Sequence, residues 1–129
     1  MTGTIKDLGS LLKTFLKKGN DYNAIDNLDK KLKKYLNFKN GFFIECGAND
    51  GVNQSNTWYF EKKLNWRGIL IEPVPNLFKE LKKNRNKNNI FVNKCLVEKN
   101  YKLKNINMIY NNCETKISKS KVKTLNAQV

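Results

Sequence analysis

Between two short apolar runs lies Glu45-Cys46-Gly47-Ala48-Asn49-Asp50-Gly51. Two glycines four apart let the backbone turn sharply and admit a ligand with no Cβ in its path. Asn49 and Asp50 add polar side chains to the same turn, and a helix expected just after it offers unpaired N–H groups at its start. About 20 residues further on, Glu72 ends the second apolar run, where a carboxylate accepts hydrogen bonds from two ribose hydroxyls. Loop and acid together point to a ligand that carries a nucleoside. The glycine spacing is GxxxG and not GxGxxG, which argues against a dinucleotide pyrophosphate. The chain has no histidine, so Ser-His-Asp hydrolysis, histidine-ligated zinc and histidine general-base chemistry are excluded. Glu61 and Glu98 are acidic but otherwise unremarked, and both read as surface glutamates. No residue stands out as a catalytic base.

These residues need a scaffold, and the hydrophobic pattern supplies one. Gly41 to Cys46 and Gly68 to Glu72 read as buried strands, and Ile90 to Val97 as a third. Between the first two, Ser55 or Asn56 caps a helix to about Asn65 with Phe60 and Leu64 inward. Pro73 stops the second strand, and Pro75 opens a helix carrying Leu77, Phe78 and Leu81. Residues 41–97 thus spell β-α-β-α-β, the order of a parallel α/β sheet. Two amphipathic helices precede it. One covers residues 4–18 (Ile5, Leu8, Leu11, Leu12, Phe15, Leu16). The other runs from Ala24 to Leu36, capped by Asp21 or Asn23, with Ile25, Leu28, Leu32, Tyr35 and Leu36 on one face. The expected division is a helical segment over 1–40 and an α/β portion over 41–129. Its core is 41–98 and its tail, 99–129, is weakly structured. Met108 to Tyr110 reads as a short strand, and Thr115 to Thr124 as polar and mobile.

The 129 residues suffice for one domain. No run approaches the roughly 20 apolar residues of a membrane span, and no signal-like apolar region opens the chain. Cys46, Cys95 and Cys113 form no CxxC pair, and reduced thiols in a cytoplasm are the expectation. The net charge of +14 invites a nucleic-acid reading. It is carried by lysine, with arginine only at positions 67 and 85, in a chain also rich in asparagine. Base and phosphate readers lean on the bidentate guanidinium, so nucleic acid is disfavoured as partner. The alternative reading is a non-catalytic basic αβ module that binds nucleic acid or an acidic partner.

The tracts Phe43 to Gly51, Ser55-Asn56-Thr57, Trp66 to Pro73 and Val74 to Arg85, in this order, resemble the FkbM family of methyltransferases. A fainter likeness extends to Val122 to Leu125. The resemblance implies a Rossmann-like class I methyltransferase fold with S-adenosylmethionine as methyl donor. Glu45, Gly47 and Gly51 match the first cofactor motif, and Asn49 and Asp50 its polar loop positions. Glu72 matches the acid that holds the ribose hydroxyls, and Cys95 and Leu96 fall where the adenine wall begins. The acceptor implied is a hydroxyl of a sugar or other small molecule. A full family domain continues with a fourth strand beside the first and an Asp-x-Glu-Gly-like motif. The expectation is therefore a truncated, incomplete fold of three parallel strands, exposed along Phe42 to Ile44: either a fragment inactive alone, or one half of a split enzyme whose sheet a second chain completes.

Overall fold

The computed structural model describes residues 21–111, 114–117 and 125–129. The expected helix over residues 4–18 and Cys113 lie outside them. Three parallel strands, β1 (Phe42–Cys46), β2 (Arg67–Ile71) and β3 (Ile90–Val92), form a sheet in the order β1-β2-β3. Two helices connect them: α2 (Trp58–Leu64) between β1 and β2, and α3 (Pro75–Asn84) between β2 and β3. This is the β-α-β-α-β unit read from the sequence, an incomplete Rossmann-like α/β fold. Among the described strands β1 lies at an edge.

Alternation along β1 sorts the side chains. Phe43 and Glu45 point to the helices, while Phe42 and Ile44 are exposed on the other face. Register places Phe43 beside Gly68 and Glu45 beside Leu70, so one face of the sheet meets α2 and α3. The core there joins Phe43, Ala48, Tyr59, Phe60, Leu64, Trp66, Leu70 and Leu81. Phe60 and Leu64 face inward, and Pro75 occupies the first turn of α3, as the sequence indicates. On the opposite face Ile44, Ile69 and Ile90 align across all three strands, with Ile44 and Ile90 more than half exposed.

The second N-terminal helix is shorter than its periodicity suggests. A 3-10 turn, Ile25–Asn27, leads into α1 (Leu28–Lys33). Asp26 and Asn27 both have φ of 52°, which breaks a continuous helix at that point. Ile25, Leu28 and Tyr35, the last beyond the end of α1, are exposed, and of the expected face only Leu32 and Leu36 reach the core. Neither Asp21 nor Asn23 caps the start. Asp29, fully buried, reaches back to accept the N–H groups of Asn23 (2.7 Å) and Ala24 (3.1 Å). Asp21 pairs with Lys63 instead, at 2.7 Å.

The third strand is also shorter than expected and ends at Val92. The chain then stays extended without parallel pairing, and the Cys95 N–H donates to the Gln128 carbonyl at 2.7 Å. Beyond it the short strand expected at Met108 to Tyr110 lies within a longer one, and residues 118–124 of the stretch expected to be polar and mobile lie outside the described residues. Strands β4 (Asn105–Asn111), β5 (Glu114–Ile117) and β6 (Leu125–Gln128) form an antiparallel sheet with β4 in the middle. Ile106 and Met108 pack on Val74, with Leu77, Cys95, Val97, Tyr101 and Val129 around them. This small second core ties the hairpin to the start of α3. No described helix is long and apolar enough to cross a membrane.

Leu81 is wholly buried where α3 meets the sheet. We expect Leu81→Ala to lower the unfolding free energy by about 3 kcal/mol, the cost of a core cavity, measured by urea denaturation.

Candidate functional site

The loop after β1, the Glu72 turn after β2 and the segment after β3 converge at the carboxyl ends of the strands, where open α/β sheets receive ligands. The loop is held from several sides. The N–H groups of Gly47 and Ala48 both donate to the Ile71 carbonyl, at 2.9 and 3.0 Å, and that of Gly51 to Ala48, at 2.9 Å. The Asn49 N–H donates to one Glu72 oxygen (2.9 Å), and the Val74 N–H donates to the other (2.8 Å). Asp50 turns its carboxylate onto its own loop, accepting from the N–H groups of Val52 (2.9 Å) and Asn53 (2.7 Å) and from the Asn53 amide. The Asn49 side-chain oxygen accepts the Asp50 N–H at 2.8 Å.

The two glycines of the loop serve different ends. Both have positive φ, 73° at Gly47 and 82° at Gly51. Among the described residues a Cβ at Gly47 would meet nothing within 4 Å, so this glycine borders space that a ligand can fill. At Gly51 it would lie 2.7 Å from both Leu81 Cδ1 and Arg85 Cγ. Gly51 therefore lets the helical layer approach from behind.

Glu45 faces that helical layer. Its carboxylate accepts from the Asn56 N–H (2.7 Å), the Ser55 hydroxyl (3.0 Å) and the Thr57 hydroxyl. The Ser55 oxygen in turn accepts the N–H groups of Thr57 and Trp58, at 3.3 and 3.1 Å. The sequence suggested that free N–H groups at the start of α2 would await a ligand. These groups are instead satisfied by the protein's own Glu45 and Ser55, because β1 aims a carboxylate at them from the core side.

At the centre of this layer is Arg85, a residue that the sequence reading did not single out. Its guanidinium is fully buried and bonds Glu61 (2.9 Å), Glu45 (3.3 Å), the Ser55 and Thr57 hydroxyls (3.1 and 2.9 Å) and the Gly51 carbonyl (3.2 Å). Glu61 is consequently not a surface glutamate. It is buried and also accepts from the Asn86 N–H (3.0 Å) and the Asn89 amide. Burial pushes its carboxyl up. The neighbouring Arg85 charge and these hydrogen bonds outweigh burial and hold it below the ordinary carboxylate value. Glu98 is exposed, as expected.

Among the described residues Glu72 has no cationic partner of this kind. Burial pushes its carboxyl above the ordinary value, against the opposing pull of the Val74 and Asn49 N–H groups. Among the described residues each oxygen accepts one N–H and so keeps a lone pair for a further donor. Asn93, also missed, steadies this turn by donating its amide to the Glu72 carbonyl at 2.7 Å. Cys95 is half-buried, and burial together with the negative Glu72 raises its thiol. Cys46 and Cys95 are both free thiols. The structure thus gathers Gly47, Asn49, Asp50, Glu72 and Cys95 at one end of the sheet. Gly51 and Glu45 lie behind the loop, and Leu96 is largely exposed.

Residues 45–125 match the model of the FkbM methyltransferase domain. The chain belongs to this family. The matched span runs from Glu45 through β4 and β5 and ends at Leu125, the first residue of β6. No curated protein and no solved structure matches the chain. Among the described residues no cluster of acidic or cysteine side chains is arranged to hold a metal ion.

Because folding lowers the Glu61 pKa, its stabilising contribution is complete above the unfolded carboxylate value. It is lost as pH falls through the lower folded value. Denaturant unfolding followed from neutral to acid pH is expected to show a steep acid loss that Glu61→Gln makes shallower.

Proposed function

We propose that this FkbM-family chain binds S-adenosylmethionine at the carboxyl ends of β1, β2 and β3, and that it serves transfer of the methyl group to a hydroxyl of a sugar or other small molecule. The observation that carries this reading is the coupling of Glu72 to the glycine loop through Asn49. It sets a carboxylate with spare lone pairs beside the open space at Gly47. When bound, the sulfonium supplies an activated methyl group.

The chain's own residues would do the following. Glu72 accepts the two ribose hydroxyls on its remaining lone pairs. Gly47 leaves room for the methionine portion, and the half-exposed Asn49 and Asp50 line its polar side. Cys95 and Leu96 flank the adenine. Glu45 acts one layer back, fixing the start of α2 beneath the loop. Methyl transfer is an in-line displacement that depends on holding the reacting atoms in line. No residue of this chain is assigned as the base that activates the acceptor, and a second chain extending the sheet at β1 would contribute that part of the site. A non-catalytic basic module remains the competing reading, carried by the net charge of +14.

Isothermal titration with S-adenosylmethionine and S-adenosylhomocysteine, with NAD as control, tests the proposal. Binding of the first two alone is expected, and Glu72→Ala should abolish it while the protein stays folded. Affinity should also fall on acidification, starting at a higher pH than for an ordinary carboxylate, since burial raises the Glu72 carboxyl. A folded wild-type protein that binds neither compound would overturn the reading.

A further inference from the structure

Between the glycine loop and the end of α3 the structure shows an arrangement with a consequence for ligand binding. Two consecutive loop carbonyls point back toward α3, and two consecutive residues at its end receive them. The Asn84 amide donates to the Asp50 carbonyl at 2.8 Å, and the Arg85 guanidinium to the Gly51 carbonyl at 3.2 Å. On the other side the same loop is tied to β2 through Ile71 and Glu72. The loop is therefore stretched between a front attachment, which includes the carboxylate proposed to hold the ribose, and a rear attachment on α3.

We infer that Asn84 is a positioning residue for the cofactor loop. By holding the Asp50 carbonyl it fixes the 49–51 peptides, so that the Asn49 N–H stays on Glu72 and Gly47 stays open toward the ligand. The inference rests on the proposed cofactor reading. Arg85 shares the attachment, but its removal would strand two buried carboxylates and damage the fold itself. Asn84 separates the two roles. It is half-buried, and among the described residues its side chain makes only this one bond. Its loss therefore spares the ion-pair layer. Left-handed backbone at Asn49, with φ of 53°, makes the loop a place where a lost tether is felt, because such a conformation persists only while its surroundings impose it.

The test uses Asn84→Ala in the full chain with two readouts. The first is amide hydrogen exchange of the ligand-free protein. Faster exchange confined to residues 47–51, with the amides of β1 and β2 unchanged, is the expected result. Exchange unchanged in the loop, or raised equally throughout, overturns the positioning role. The second is titration with S-adenosylhomocysteine, where loss of one hydrogen bond at the loop should weaken binding about tenfold with little change in Tm. Equal affinity in variant and wild type overturns the inference. If the wild type binds no S-adenosylhomocysteine, the cofactor reading fails on its own, and the exchange experiment still decides whether Asn84 holds the loop.

Discussion

A buried guanidinium organises this fold. Arg85 arrives from the end of α3 with no water to solvate it and finds Glu45 from β1, Glu61 from α2, and the hydroxyls of Ser55 and Thr57. Taking these charges out of water costs several kcal/mol per ion, and only dense hydrogen bonding offsets that. Among the described residues no buried side-chain polar atom lacks a partner. The arrangement can close in only one way. A shift of α3 by one turn, or a slip of β1 by one residue, would leave a charge unpaired in the core. The hydrophobic cluster around it tolerates small adjustments, and the ionic layer does not.

The same layer separates the parts of the loop packed against protein from those proposed to face the cofactor. Seen from behind, Glu45 and Gly51 belong to the packing of α2 and α3 on the sheet. Seen from the front, Gly47 has room for a Cβ, and Asn49 ties the loop to Glu72. Adjacent residues in a seven-residue stretch therefore answer to different physical demands: Gly51 cannot carry a side chain because protein is there, and Gly47 is kept clear where protein is absent. The antiparallel hairpin then braces the site from a third side, packing on Val74 two residues past Glu72.

Much of the scaffold was legible in the residues. Strands β1 and β2 carry short apolar runs ended by glycine or proline, and α3 opens on Pro75, so local signals and tertiary packing agree there. They disagree at Asp26 and Asn27, whose left-handed backbone interrupts an apparently unbroken helical period. No periodicity analysis detects that. Of the antiparallel sheet only Met108 to Tyr110, inside β4, was legible, because Asn105, Asn107 and Asn111 dilute the apolar pattern of that strand. Glu61 was read as a surface residue because a lone glutamate on a helix usually is one; its partner lies 24 residues away, a separation that no local window spans. A signal for Arg85 did exist. In a chain that otherwise meets its need for positive charge with lysine, one of only two arginines marks a place where a flat, multidentate donor is required.

The row of Ile44, Ile69 and Ile90 across the uncovered face of the sheet has a consequence for the protein in bulk solution. An apolar stripe of this kind draws copies together at short range, while a net charge of +14 keeps them apart at longer range. The charge acts only over the screening length, about 8 Å at physiological ionic strength, and salt shortens it while leaving the attraction intact. Colloidal stability is thus a balance set by ionic strength, and salting-out conditions harmless to most small domains act on this one from both sides.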